Sequence, residues 1–222
     1  MRIVTSIGPG RIERQQFCIA SWLNMGCSVT SVQSVGETEK LQHLFPEVTF
    51  TETNLVGDVF NRRHSVRIKA LLDQAKRHNI LILNSDIEIR STIEDFTARW
   101  SNPEPNVLKL GVRWDEDPIT KELTMLRWGI DAFLITPRIV TRLEDIGMTM
   151  GCPAWDYWIP IFLYNQCGYG VVTNKQPELI HEVHSKNWSD KEYKIGLRLL
   201  ARHCGTGQKE SSMLIKQLTQ RV

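Results

Sequence analysis

Apolar and polar positions follow two different rhythms along the first half of the chain. Arg2–Ile7 is a short β-branched run stopped by Gly8-Pro9-Gly10, and it predicts a first strand. Glu13–Met25 reads as a helix with Gly26 at its C-terminal cap. Ser28–Val35 is rich in Val, Ser and Thr and predicts a second strand, closed by Gly36; Val48–Phe50 is a short third. Over Val66–His78, Ile68, Leu71, Leu72 and Ala75 fall at i, i+3, i+4 and i+7, which is one apolar stripe of a helix. Asn79–Asn84 is a nearly continuous apolar run of strand length, suited to a central parallel strand buried on both faces.

The second half is less regular. Val107–Val112 and Leu126–Ile135 predict strands, and Pro137–Ile146 a helix. After the break at Gly151-Cys152-Pro153, Trp155–Asn165 reads as a helix despite Pro160, and Gly170–Thr173 and Glu178–Val183 as strands. The chain ends in polar helical segments, Asp190–His203 and Ser211–Gln220, on either side of Gly205-Thr206-Gly207. Strands alternating with helices predict an α/β layer fold around a mostly parallel, Rossmann-like sheet. One domain is expected over residues 1–190, with a helical tail over 191–222 packed on it.

Composition narrows the class. At 222 residues and 41% hydrophobic, the chain suits one core rather than two domains. No run approaches the roughly 20 apolar residues of a membrane helix, and the start lacks the longer apolar run of a secretory signal. Cys18, Cys27, Cys152, Cys167 and Cys204 are odd in number and scattered, which points to reduced thiols and a cytoplasmic protein. A net charge of +2 offers no general case for nucleic acid or membrane binding and argues against a broad DNA footprint.

The chemistry gathers where the apolar run Leu81-Ile82-Leu83 ends in Asn84, Ser85, Asp86, Ile87 and Glu88. Ligands of open α/β sheets bind beyond the carboxyl ends of strands. A carboxylate there can hold Mg²⁺ or Mn²⁺ against substrate phosphates, or it can simply cap a turn. Glu88 is expected on the following segment as a solvated side chain.

This stretch resembles the variant D-x-D motif of GT-A fold glycosyltransferases. The resemblance implies a single GT-A-like domain, a nucleoside diphosphate sugar as donor (a UDP-sugar first), and Mn²⁺ or Mg²⁺ as cofactor. Asn84 takes the first motif place and Asp86 the metal-binding second, with Ser85 between them. The chain departs from the family in carrying Asn first, so the motif holds one carboxylate. The family's basic helix start matches Asn61–Arg67, which implies Arg63 and Arg67 at the diphosphate. The loops cradling base and ribose match Thr5, Ser6, Gly8 and Arg11 after the first strand, and Val35 and Glu37 after the second.

The same resemblance extends to the acceptor side. Trp128 and Asp131 match a strand beside the donor sugar, with Asp131 on a sugar hydroxyl. Asp156 matches the acidic residue near the reactive carbon and is the candidate base, while Trp155, Tyr157 and Trp158 offer platforms for sugar rings. His181 and His184 match a C-terminal histidine on the metal. Residues three apart on a strand face opposite sides, so both reach one metal only if the strand ends between them. Each of these groups also has an ordinary reading as a cap or a core side chain. The expected activity is transfer of a hexose or pentose to a glycan, a small molecule or a hydroxymethylated viral DNA base. A nucleotidyltransferase acting on sugar phosphates and a non-catalytic nucleotide-sugar-binding module are the alternatives. The basic tail residues Lys191, Lys194, Arg198, Arg202 and His203 read as closing over the donor, as contacting an acidic acceptor or, more simply, as a solvated amphipathic helix face.

Overall fold

The computed structural model describes residues 1–185 and 188–220. The chain opens with β1 (Arg2–Thr5), α1 (Ile12–Asn24), β2 (Ser28–Ser34), α2 (Thr38–Leu41) and β3 (Thr49–Thr53). A small hairpin, β4 (Val56–Gly57) and β5 (Arg62–Val66), leads into α3 (Ile68–Leu72). Then come β6 (Ile80–Leu83), β7 (Ile87–Ile89), α4 (Ile93–Trp100), β8 (Val107–Glu116), β9 (Leu123–Ile135) and α5 (Pro137–Val140). The last part is α6 (Trp155–Cys167), β10 (Gly170–Asn174), β11 (Leu179–Glu182), α7 (Asp190–Cys204) and α8 (Gln208–Gln220).

One mixed sheet runs in the order β3-β2-β1-β6-β9-β8-β11-β7, with β10 also paired to β8. β1 is parallel to β2 and β6, β2 to β3, and β8 to both β10 and β11. β9 is antiparallel to both its neighbours, and β7 to β11. The α/β class with a mostly parallel sheet flanked by helices is therefore as expected. Side chains alternate along β6. Ile80 and Ile82 enter one core with α3, α6, α7 and α8, while Leu81 and Leu83 enter a second with α1 and α4. Leu200, Cys204, Ile215 and Leu218 put the two C-terminal helices in the first of these cores.

Two expected helices are shorter than their sequence suggests. Val66 belongs to β5, and after Leu72 the backbone tightens to a 3₁₀ turn over Asp73–Ala75. The helix from Pro137 stops at Val140. Farther on, Asp145 accepts the Gly147 N–H at 3.0 Å, a side-chain turn that replaces helical bonding.

One connection shapes everything that follows. β6 and β7 are joined by only Asn84, Ser85 and Asp86, yet β9, β8 and β11 lie between them in the sheet. Four strand intervals of a flat sheet measure about 19 Å, and this link reaches about 14 Å at full extension. The sheet must curl, and the turn carrying Asp86 is drawn across β9, β8 and β11.

Candidate functional site

Each intervening strand delivers a polar side chain to that turn. β11 pairs antiparallel with β7, with His181 opposite Ile87, so His181 arrives beside Asp86. The strand ends at Glu182, which frees the chain to bring His184 round to the same carboxylate. The Asp86 carboxylate lies 3.5 Å from His181 Nε2 and 3.3 Å from His184 Nε2. One ligand atom from each of the three residues falls within 4.8 Å of the others.

The far side of each ring is occupied. His181 Nδ1 is 3.0 Å from Asp115 Oδ1, and His184 Nδ1 is 2.7 Å from the carbonyl oxygen of Ser185. A carbonyl only accepts, so His184 Nδ1 carries the hydrogen and its Nε2 presents a lone pair when the ring is neutral. The same holds for His181 against its carboxylate. Two lone pairs facing a carboxylate are stable only with positive charge among them, from protons or from a cation. A carboxylate behind a ligating imidazole is the usual outer-shell support of a metal site. One oxygen and two imidazole nitrogens form a donor set that could hold a divalent cation.

The charges agree with the contacts. Burial alone would raise the Asp86 carboxyl, but hydrogen bonds from His181 and His184 hold it far below the ordinary carboxylate range. Burial disfavours a charged His181, but its bonds to Asp115 and Asp86 outweigh this and lift it to about 9.

The cluster forms part of the wall of a cavity of about 790 Å³. Asn84, Asp131, Asp156, Trp128, Trp155 and Tyr157 line it as well. Asp131 is 4% exposed. It accepts the side-chain amide of Asn84 on one oxygen and lies 3.3 Å from Arg113 Nη1 on the other. Asp156 stands in the first turn of α6. Burial, and then the negative charge of Asp131, push its carboxyl up to about 7. Trp155 lines the cavity and also packs on Phe133 at 5.3 Å between ring centroids.

Other expected residues lie elsewhere. Trp158 is 1% exposed and belongs to the core, because i and i+3 from Trp155 share the inner face of α6. Glu88 is buried rather than solvated: its carboxylate takes Arg90 at 2.7 Å and Arg14 at 3.6 Å. The expected basic helix start is a strand, since residues 62–66 form β5. Arg63 is exposed there, and Arg67 is committed to Asp145 at 2.8 Å and the Val56 carbonyl at 2.8 Å.

Thr5, Ser6, Gly8, Arg11, Val35 and Glu37 follow the carboxyl ends of β1 and β2, which are parallel to β6 and so share its edge. They lie outside the lining of the cavity. Thr5 is fully buried, Ser6 is partly so, and Val35 is 61% exposed. Arg11 reaches Glu182 at 2.5 Å, and Glu37 pairs with Lys40 at 2.7 Å. Gln15 ties this loop to the motif. Its amide oxygen accepts from Gly8 N at 2.9 Å and from the Ser85 hydroxyl at 2.6 Å.

Sequence reasoning missed Arg113 and Asp115. They lie two apart on β8 and so face the same side, beside a register shift in its pairing with β9. Gly129 makes room for the arginine, since a Cβ there would stand 3.0 Å from Arg113 Cγ. Their spacing was the only available signal. Tyr193, Ser212 and Lys216 of the C-terminal helices complete the wall. Among the described residues, no helix is long and apolar enough to cross a membrane. The chain matches no protein-family model and no curated protein sequence.

Proposed function

We propose that this protein is a metal-dependent glycosyltransferase of the GT-A kind. It moves a sugar from a nucleoside diphosphate donor, a UDP-sugar first, to an acceptor hydroxyl. The observation that carries this reading is the Asp86–His181–His184 cluster on the wall of the same cavity as Asp131 and Asp156. Asp86, His181 and His184 would hold the ion, Mn²⁺ or Mg²⁺, and when bound it supplies positive charge at the diphosphate. The loops bearing Thr5, Ser6, Gly8, Arg11, Val35 and Glu37 share that edge of the sheet and would receive the nucleotide.

In the transfer, the acceptor oxygen bonds to the anomeric carbon as the bond from that carbon to the phosphate oxygen breaks. The electron pair leaves with the nucleoside diphosphate. The acceptor proton passes to Asp156, whose raised proton affinity suits a base working near neutral pH. Asp131, neutralised by Arg113, is placed to accept from a sugar hydroxyl.

The test is transfer and hydrolysis with a panel of UDP- and GDP-sugars and Mn²⁺. Asp86→Ala should abolish turnover, and undiminished transfer by that variant overturns the metal role. Asp156→Asn should abolish transfer while leaving donor affinity within about twofold. Pyrophosphate release from a nucleoside triphosphate and a sugar phosphate identifies a nucleotidyltransferase instead. Calorimetric binding of donors without any turnover identifies a binding module.

A further inference from the structure

The total charge of +2 conceals an uneven distribution. Residues 186–222 hold eight Lys and Arg against three Asp and Glu, which makes this end +5 and residues 1–185 −3. Such asymmetry in a chain suggests contact with a polyanion. On α7 the excess is ordered. Lys191, Lys194, Arg198 and Arg202 recur at i, i+3, i+7 and i+11, all four exposed. At 3.6 residues per turn they fall within about 80° of the helix circumference and extend about 16 Å along it. None of the four forms an ion pair with another described residue.

The stripe borders the cavity. Tyr193 and Leu197, on the adjoining strip of α7, are in its lining. Trp188 stacks on Tyr193 at 5.5 Å and 17°. Trp128, also in the cavity lining, is 46% exposed, an unusual state for a tryptophan on a strand. It precedes Asp131 by three residues and so stands about 10 Å farther out along β9. Lys216 of α8 holds its ammonium 5.2 Å from the Trp128 ring centroid and has no carboxylate partner among the described residues.

We propose that the α7 stripe, with the exposed ring of Trp128, is a binding track for single-stranded nucleic acid that delivers a nucleotide to the cavity. Cations in a row follow a phosphate backbone, and exposed aromatic faces take unstacked bases whatever their identity. The axial steps between the cations, about 4.5–6 Å, are close to the spacing of phosphates in an extended strand. The track stands on its own charge and geometry; that the bound strand is the acceptor rests on the transferase reading above.

Fluorescence anisotropy of a labelled oligothymidylate of about 15 nucleotides, titrated with the full chain in chelator and without nucleotide sugar, tests the track independently of turnover. Binding should weaken with salt at about −0.7 in log–log slope per phosphate neutralised. Lys194→Ala with Arg198→Ala should cost at least tenfold at low salt and reduce that slope by about 1.4. Trp128→Ala should cost roughly tenfold at every salt concentration with the slope unchanged. The proposal is overturned if the wild-type chain does not bind at low salt, or if the double variant binds equally well. Displacement by a polyuronate as effective, charge for charge, as unlabelled oligonucleotide also overturns it and identifies an acidic polysaccharide.

Discussion

The side-chain amide of Asn84 donates to the carboxylate of Asp131, bridging the turn after β6 and the strand that pairs with it. This contact accounts for an amide at the first motif position. Asp131 is 4% exposed and its other oxygen already faces Arg113, so the amide supplies the donor that the remaining oxygen needs.

Asn84→Asp should therefore destabilise the fold in chelator by about 1–3 kcal/mol, since two carboxylates then face each other and a buried acceptor loses its partner. Adding Asp131→Asn exchanges donor and acceptor and should recover most of that loss. Thermal melts of the four proteins form the double-mutant cycle that measures the coupling. Purely additive losses would show that the contact contributes nothing.

Asp115 touches the cluster only through His181 Nδ1. Asp115→Asn should weaken Mn²⁺ binding by about 10–100-fold, the usual effect of removing a carboxylate behind a ligating histidine. Calorimetry with Mn²⁺ reads this directly. Asp86→Ala should eliminate the same heat signal, and equal binding by wild type and both variants would place the ion elsewhere.

Asp156 titrates near 7 in the folded protein against an ordinary value of 3.8. A raised folded value means the native state holds its proton more tightly than the unfolded chain does. The associated stability is present below about pH 4 and is lost as pH rises towards 7. Asp156→Asn removes this dependence, so its stability relative to wild type should improve between pH 4 and 7, by on the order of 2 kcal/mol. Transfer by the wild type should rise over the range where Asp156 loses its proton, because a base must be unprotonated. Denaturant melts at pH 4, 5.5 and 7 check the first statement, and a pH–rate profile the second.

Gly196 lets α7 lie against the backbone of Pro153, just before Asp156; a Cβ there would collide with the Pro153 carbonyl oxygen. Gly196→Ala should cost about 1–3 kcal/mol as the helices separate. Since Tyr193 and Leu197 line the cavity from the same helix, the acceptor side should suffer too. An increased acceptor KM with unchanged donor KM, alongside the lower melting temperature, is the expected pattern.

Local sequence was enough to locate the motif and most of the strands, though not β5 or β7, nor the helix α4. The unbroken Ile80–Leu83 run required a strand buried on both sides, and the polar residues after it required an exposed end, because apolar side chains leave water and backbone polar groups need partners. The resemblance to GT-A enzymes, not residue type alone, marked Asp86, His181, His184 and Asp156 as candidates. It could not separate Trp155, which reaches the cavity wall, from Trp158, which does not, because both lie on the inner face of α6 and what stands against each depends on distant strands. Nor could it reveal Arg113 and Asp115, ordinary alternate positions of a β-strand until β11 sets His181 beside them. The bringing together of Asp86, Asp115 and His181 was decided by tertiary structure alone. A three-residue link between strands four places apart in the sheet forces the curl, and that curl closes sequence separations of up to 98 residues into one cluster.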